Sequence, residues 1–248
     1  MNEKQSILAL WAVPRSTSTA FEWMMRQRGD FYCLHEPYGE AWYQGEDPLW
    51  PRLTEDSIRT PGLTLESVTN TLLQKAGTTA VFIKDFPHYI DHLWTDDLLG
   101  NFNHSFLIRH PAKTITSMFN KWPDFHPKEV GFAEQRALHE KLCEIYDEPP
   151  PIIDSDDLLE DPFKMVERWC EAVGIDYVEK ALSWEPGPRD EVSWWDGGSF
   201  HANLRDSDGL KPQTREYVEI GDVPERVKEI YDQCMVHYEY MHSRRIKS

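Results

Sequence analysis

The sequence predicts a three-layer α/β fold, a mainly parallel central sheet of about five strands flanked by helices. Three observations carry this. Short apolar runs of strand length recur at residues 7–13, 31–35, 80–84, 104–108 and 151–153, as expected of strands buried on both faces. Helical periodicity alternates with them, the pattern of right-handed β-α-β units. The runs also end in polar or charged residues: Pro14-Arg15-Ser16, His35-Glu36, Lys84-Asp85, Arg109-His110 and Asp154-Ser155. Ligands of parallel sheets gather at the carboxyl ends of strands, so function is expected at these five exits.

The elements follow in order. The first run breaks at Pro14, and a helical pattern carries Phe21, Met24, Met25 and Arg28 on one side. The second run stops at Glu36-Pro37, where proline prevents continuation. Residues 37–63, rich in Pro, Gly, Trp and Tyr, read as a long ordered loop, a length that usually marks function. Residues 64–75 form an amphipathic helix with Thr64 as its cap. After the third run, a helix is predicted through Ile90, Leu93, Trp94, Leu98 and Leu99. The fourth run closes before Pro111, which suits the first helical turn. Another helix spans about residues 131–146. The fifth run leads into Asp154, Asp156 and Asp157, read as a turn of helix-capping acids. Asp161-Pro162 opens a helix that Gly174 stops. Residues 184–212 form a second aromatic loop, and a last helix runs over about residues 224–242 with Asp222 as its cap.

Composition bounds the function. With 248 residues, 40% of them hydrophobic and 12% aromatic, one domain over residues 1–248 is expected rather than two. A net charge of −17 disfavours nucleic-acid binding, whose footprint is basic. The four cysteines are far apart, without a C-x-x-C pair, so reduced thiols and a cytoplasmic location are expected. No apolar run nears 18 residues and the N-terminus does not read as a signal peptide, so no membrane partner is expected.

The chemistry centres on residues 14–19, Pro-Arg-Ser-Thr-Ser-Thr. A strand, a hydroxyl-rich turn and a helix N-terminus bring backbone N–H groups and a positive dipole end to one spot, which suits phosphate. Arg15 adds a planar fork for phosphate oxygens. A plain cap needs one hydroxyl, and here four stand behind an arginine. A Walker A loop requires glycines and a lysine, and neither is present between residues 7 and 28.

A second motif, FLIRHPAKTITSMF, resembles the 3′-phosphate signature of sulfotransferases that use 3′-phosphoadenosine 5′-phosphosulfate (PAPS). In it, Arg109, Pro111 and Ser117 fit the family spacing. The segment PRSTSTAF is similar to that family's 5′-phosphosulfate loop. The resemblance covers about residues 7–122 and implies a P-loop-NTPase-like fold. It implies that Arg15 and Ser16, Thr17, Ser18 and Thr19 bind the 5′-phosphosulfate, and that Arg109 and Ser117 bind the 3′-phosphate. It further implies in-line transfer of a sulfuryl group to a hydroxyl or amine of a small molecule, leaving adenosine 3′,5′-bisphosphate (PAP), with no metal required.

Lys84 stands where many members carry a lysine that donates to the bridging oxygen; a solvated strand-end lysine is the alternative. The histidine that often follows two positions later is replaced by Phe86. Some members instead use a glutamate after the second strand as general base, the place Glu36 occupies. His88, Asp85 and His35 remain reserve candidates. The aromatic loops suggest the acceptor pocket: Glu36, Trp42, Tyr43, His88 and Trp195 as its contacts, with Trp50, Trp194, Phe200 and His201 nearby. Aromatic faces beside carboxylates suit a cationic alcohol. Residues 197–199 and 207–211 are expected to close over the nucleotide. Two other classes stay open: a P-loop-type small-molecule kinase and a non-catalytic nucleotide-binding module. The oligomeric state is not legible.

Overall fold

Five strands form one all-parallel sheet in the order β2-β3-β1-β4-β5. They are β1 (Ile7–Ala12), β2 (Tyr32–His35), β3 (Val81–Asp85), β4 (Phe102–Ile108) and β5 (Ile152–Asp154). The structure is a computed structural model that describes residues 7–194, 202–211 and 218–247. β1 lies at the centre, and all its residues are buried, which is why it reads as an unbroken apolar run rather than an alternating one. β2 is an edge strand with Tyr32 exposed.

The register aligns the strand exits. His35 lies opposite Lys84 and Ile108 opposite Asp154, while Leu10 faces Lys84 across the β1–β3 pair. The charged residues that end four different runs therefore meet along one edge of the sheet.

Ten helices surround this frame among the described residues: α1 (Ser18–Arg28), α2 (Pro37–Gln44), α3 (Leu65–Ala76), α4 (Asp96–Leu99), α5 (Pro111–Lys121), α6 (Phe132–Ile145), α7 (Ser155–Glu160), α8 (Pro162–Val173), α9 (Ala202–Arg205) and α10 (Glu225–His242). Several starts and stops follow the sequence signals. Thr64 accepts the Ser67 N–H in a reciprocal capping box. Asp161 accepts from Lys164, with Pro162 in the first turn, and Gly174 closes α8 at φ 74°.

Other segments depart from expectation. The stretch read as a loop from residue 37 begins with α2, where Pro37 is preset for a first turn and Tyr38, Ala41, Trp42 and Tyr43 are buried. Tyr38 and Trp42 are core packing, which local composition does not separate from a loop wall. The single helix expected near residues 90–99 is instead two 3₁₀ turns, Pro87–Tyr89 and Asp91–Leu93, followed by α4. Thr95 accepts the Leu98 N–H there and so opens a new helix instead of continuing the old one. The acids at residues 154–157, by contrast, cap a helix as expected: Asp154 holds the cap position of α7 and accepts the Asp156 N–H. Asp222 ends a 3₁₀ turn, Ile220–Asp222, and Pro224 holds the cap position of α10 without a side-chain cap.

His88 gives the fold a pH dependence. Its ring lies among Trp42, Phe86 and Tyr89, and neither ring nitrogen has a partner among the described residues. Gly131 at φ +69° lets the chain pass close by, since a Cβ there would sit 2.4 Å from the His88 Nδ1. Burial pushes the His88 imidazole down to about 3. An unfolded imidazole takes up its proton near pH 6.5, so the unfolded state binds more protons below that pH. Stability is then lost as pH falls from roughly 6.5 toward 3, by about 2 kcal/mol at pH 5 from this group. Urea unfolding of the wild type and of His88→Leu at pH 7.5 and pH 5 is expected to show a shallower pH slope in the variant.

Candidate active site

The loop after β1 is held in a strained shape. Arg15 and Thr17 have φ of 65° and 71°, the left-handed region that L side chains seldom adopt. The Ser16 hydroxyl donates to the Val13 carbonyl at 2.7 Å, and the Ser155 hydroxyl, at the exit of β5, donates to the Ser16 carbonyl. Thr17 occupies the cap position of α1 without a capping bond, and its buried hydroxyl has no partner among the described residues. The first N–H groups of a helix have no helical acceptor. Residues 15–19 thus present backbone donors, a buried hydroxyl and a guanidinium along one wall of a cleft.

The second motif joins the first. An Arg109 Nη1 donates to the Arg15 carbonyl at 3.0 Å. The Arg15 Nε donates to the Ser117 hydroxyl at 3.1 Å. α5 begins at Pro111 with the His110 imidazole accepting the Ala112 N–H, and this start orients Ser117 toward Arg15. Arg15, Arg109 and Ser117 all line the cleft. The cleft holds a cavity of about 180 Å³ and opens to solvent.

Glu36 lines the cleft, and Lys84, which is not among the lining residues, forms an ion pair with it from the core side. Lys84 is fully buried at the end of β3, and its Nζ donates to Glu36 Oε1. Glu36 is the third non-glycine residue with positive φ, 45°. Among the described residues, all three such positions lie on the cleft wall. Strain confined in this way, at ~1–3 kcal/mol per residue, marks functional geometry. Both Asp85 oxygens accept backbone N–H groups, from Tyr38 at 2.7 Å and Phe86 at 2.9 Å. Burial, with Glu36 nearby, pushes the Asp85 carboxyl well above the ordinary carboxylate range. A buried charge needs a partner, and Lys84 and Glu36 supply each other's.

A family profile described as a sulfotransferase domain matches residues 6–245. This chain belongs to the sulfotransferase family. Sulfuryl transfer is the general chemistry of that family. Among solved structures, mouse sulfotransferase SULT7A1 complexed with PAP is similar at 11% identity and TM-score 0.53, over 97% of this chain and 90% of that one. The sulfotransferase domain of the Synechococcus PCC 7002 olefin synthase is similar at 16% identity and TM-score 0.51, over 94% and 96% of the two chains. At such identities the likeness is one of fold. The branched-chain-amino-acid aminotransferase-like protein 2 of Arabidopsis thaliana is 28% identical over 199 residues, 76% of this chain and 34% of the plant protein. The chain thus spans about one third of the length of the curated relatives it matches.

The remaining wall of the cleft is aromatic. Tyr43, Phe86, Tyr89, Trp122 and Trp194 line it beside His35 and Glu36. The Trp194 indole donates to the His35 carbonyl at 3.2 Å, and the Tyr43 and Tyr89 hydroxyls are hydrogen-bonded to each other. Two residues read from the sequence as acceptor contacts sit elsewhere. Trp42 and His88 are not among the cleft-lining residues; they pack on Tyr89 from behind. Helical α2 turns Tyr43 into the cleft and Trp42 into the core. Trp195, Phe200, His201 and the segment 197–199 lie outside the described residues. Ser207, Leu210 and Lys211 do line the cleft.

Four residues that sequence reasoning did not place among the site residues also belong to this region: Ser155, Tyr89, Trp122 and Glu22. Ser155 stood at a recognised strand exit, which is a usable signal. Glu22 is four residues before Arg26 on α1, with its carboxylate bound to that guanidinium at 2.8 Å, and the spacing alone signals only a helix-face pair. Among the described residues no group of three or more His, Cys, Asp or Glu is arranged to hold a metal ion. No helix among them is long and apolar enough to cross a membrane.

Proposed function

We propose that the chain, a single sulfotransferase-like domain over residues 1–248, transfers a sulfuryl group from PAPS to a hydroxyl or amine of a small-molecule acceptor. The observation that carries this reading is the bonding of two strand-exit arginines through one loop: Arg109 to the Arg15 carbonyl, and Arg15 to Ser117. That arrangement offers two guanidinium groups and helix-start N–H groups to a ligand with two separate anionic ends. The buried Thr17 hydroxyl without a partner fits an anionic ligand at the same loop. A fold shared with a sulfotransferase complexed with PAP supports the same ligand class.

PAPS, when bound, supplies the sulfuryl group and a phosphate leaving group. Arg15 and residues 16–19 would hold the 5′ end, and Arg109 with Ser117 the 3′-phosphate. Lys84 would stabilise the negative charge that grows on the leaving oxygen. Glu36, across from it, would accept the proton of the attacking group. Tyr43, Phe86, Tyr89 and Trp194 would orient the acceptor and exclude water; their aromatic faces beside Glu36 favour a cationic alcohol. The separated thiols fit a cytoplasmic enzyme.

Calorimetric titration with PAP, without metal, and with ADP plus Mg²⁺ tests the reading. Tight binding of PAP and weak binding of ADP are expected. A clear preference for ADP plus Mg²⁺ favours a kinase instead. Radiolabelled PAPS with 2-naphthol and with a quaternary-ammonium alcohol then tests the acceptor class, and transfer to the naphthol alone sinks the cationic assignment.

A further inference from the structure

A carboxylate and an imidazole behind the reaction centre form a pair that the scheme above leaves unused. Glu22, on α1, is fully buried. Its Oε1 accepts both the Nε and an Nη of Arg26, at 3.0 and 2.8 Å. Its Oε2 lies 2.6 Å from the His35 Nδ1. The other ring nitrogen of His35, Nε2, lies 3.8 Å from Glu36 Oε1. His35 itself lines the cleft. A buried carboxylate–imidazole pair is not needed to hold an edge strand, since hydrophobic replacements of such pairs are often as stable.

The chemistry fixes the direction of the ring. Burial raises the Glu22 carboxyl, but His35, then Lys84 and Arg26, outweigh it and bring the group down to about 2. Glu22 is therefore ionised at neutral pH and has no proton to give, so the short bond is donated by the His35 Nδ1–H. In the neutral ring the lone pair is then on Nε2, on the side of Glu36. The charged groups around the ring are Glu22 and Arg26 on α1, Glu36 at the start of α2, and Lys84 and Asp85 on β3. The Trp194 indole stands over it at 6.4 Å.

Resting on the sulfotransferase reading, we propose that Glu22 orients His35 as the terminal proton acceptor of a relay Glu36–His35–Glu22. The acceptor oxygen forms its bond to sulfur while the bond from sulfur to the 5′-phosphate oxygen breaks, and that oxygen keeps the electron pair. The hydroxyl proton passes to the Glu36 carboxylate and on to His35 Nε2. A small side-chain adjustment closes the gap to hydrogen-bond range, as apo sites often tighten when filled. The imidazolium so formed is flanked by Glu22 and Glu36 and releases its proton to solvent after product leaves. Glu36 is thereby returned to its ionised form beside Lys84. His35 is a proton carrier here, and Glu22 is a positioning residue.

The test combines two variants with one measurement on the unmodified protein. In the wild type, ¹⁵N–¹H NMR of the imidazoles is expected to show His35 as the Nδ1–H tautomer; the Nε2–H tautomer overturns the proposal even if no variant folds. Glu22→Gln is expected to lower kcat by roughly 10²-fold, with PAP affinity within about twofold of the wild type, as expected when only a proton-transfer step is weakened. The acid limb of its kcat–pH profile moves to lower pH, because the imidazolium has lost an anionic neighbour. In His35→Gln that limb disappears. Unchanged profiles and rates in both variants overturn the relay. The function reading fails separately, through absence of PAP binding and of sulfuryl transfer in the wild type.

Discussion

Replacing Lys84 by Met is expected to lower kcat by at least ~10²-fold, the loss seen when one donor to a developing anion is removed. PAP affinity stays within a few-fold, because residues 15–19, Arg109 and Ser117 keep their geometry. Lys84 is also the buried partner of Glu36. Removing one member of a buried pair leaves the other charge uncompensated and costs about 3–5 kcal/mol. Urea unfolding checks this term. The double variant Lys84→Met/Glu36→Gln separates the two roles: it regains most of the stability, since no lone buried charge remains, and none of the rate. If the double variant is as unstable as Lys84→Met, the pair is not what holds this edge of the sheet. A kcat near the wild-type value in Lys84→Met removes the lysine from the leaving-group role.

The second large effect is expected at Arg109. Arg109→Ala removes a charged donor at the tip of β4, and a hydrogen bond to a charged group contributes about 1.5–3 kcal/mol. PAP binding is thus expected to weaken by roughly 10- to 100-fold. The loss does not stop at one phosphate. Arg109 holds the Arg15 carbonyl, and Arg15 holds Ser117, so the 5′ loop loses a support of its strained backbone. Arg15→Ala and Arg109→Ala are therefore expected to be non-additive, with the double variant weaker by less than the sum of the two singles. Calorimetry with PAP on the two singles and the double measures the coupling. Strict additivity would mean that the two arginines serve independent subsites. Arg109→Lys is not a mild change here, because a single ammonium does not reach a phosphate and a carbonyl in one plane.

Much of this frame is legible in the chain. The unbroken apolar run of β1 marks a strand buried on both faces, and proline and capping residues punctuate the helices at Thr64, Asp161 and Gly174. The spacing from Arg109 to Ser117, on which the proposed phosphate grip rests, is legible because a strand tip and the second turn of the following helix are local geometry. Other segments were not legible for an equally physical reason. Tyr43 and Trp42 are adjacent in sequence and equally aromatic, yet α2 sends one to the cleft and the other to the core. His88 looked like a loop histidine, and its burial depends on Gly131 passing above it, 43 residues away. Asp222 looked like a cap, and Pro224 took the position.

The sheet class, the sites where the chain leaves each strand, and the residue types gathered there follow from the order of residues alone. Those are set by periodicity, proline placement and hydroxyl and arginine spacing, all of which act within a turn or two of the backbone. How the exits are wired together depends on packing. The parallel register sets Lys84 opposite His35 and beside Glu36, Ser155 reaches the Ser16 carbonyl from the last strand, and α1 folds back to put Glu22 on His35. These contacts join residues far apart in the chain, and their strength comes from burial, which belongs to the packed fold and to no short stretch of sequence.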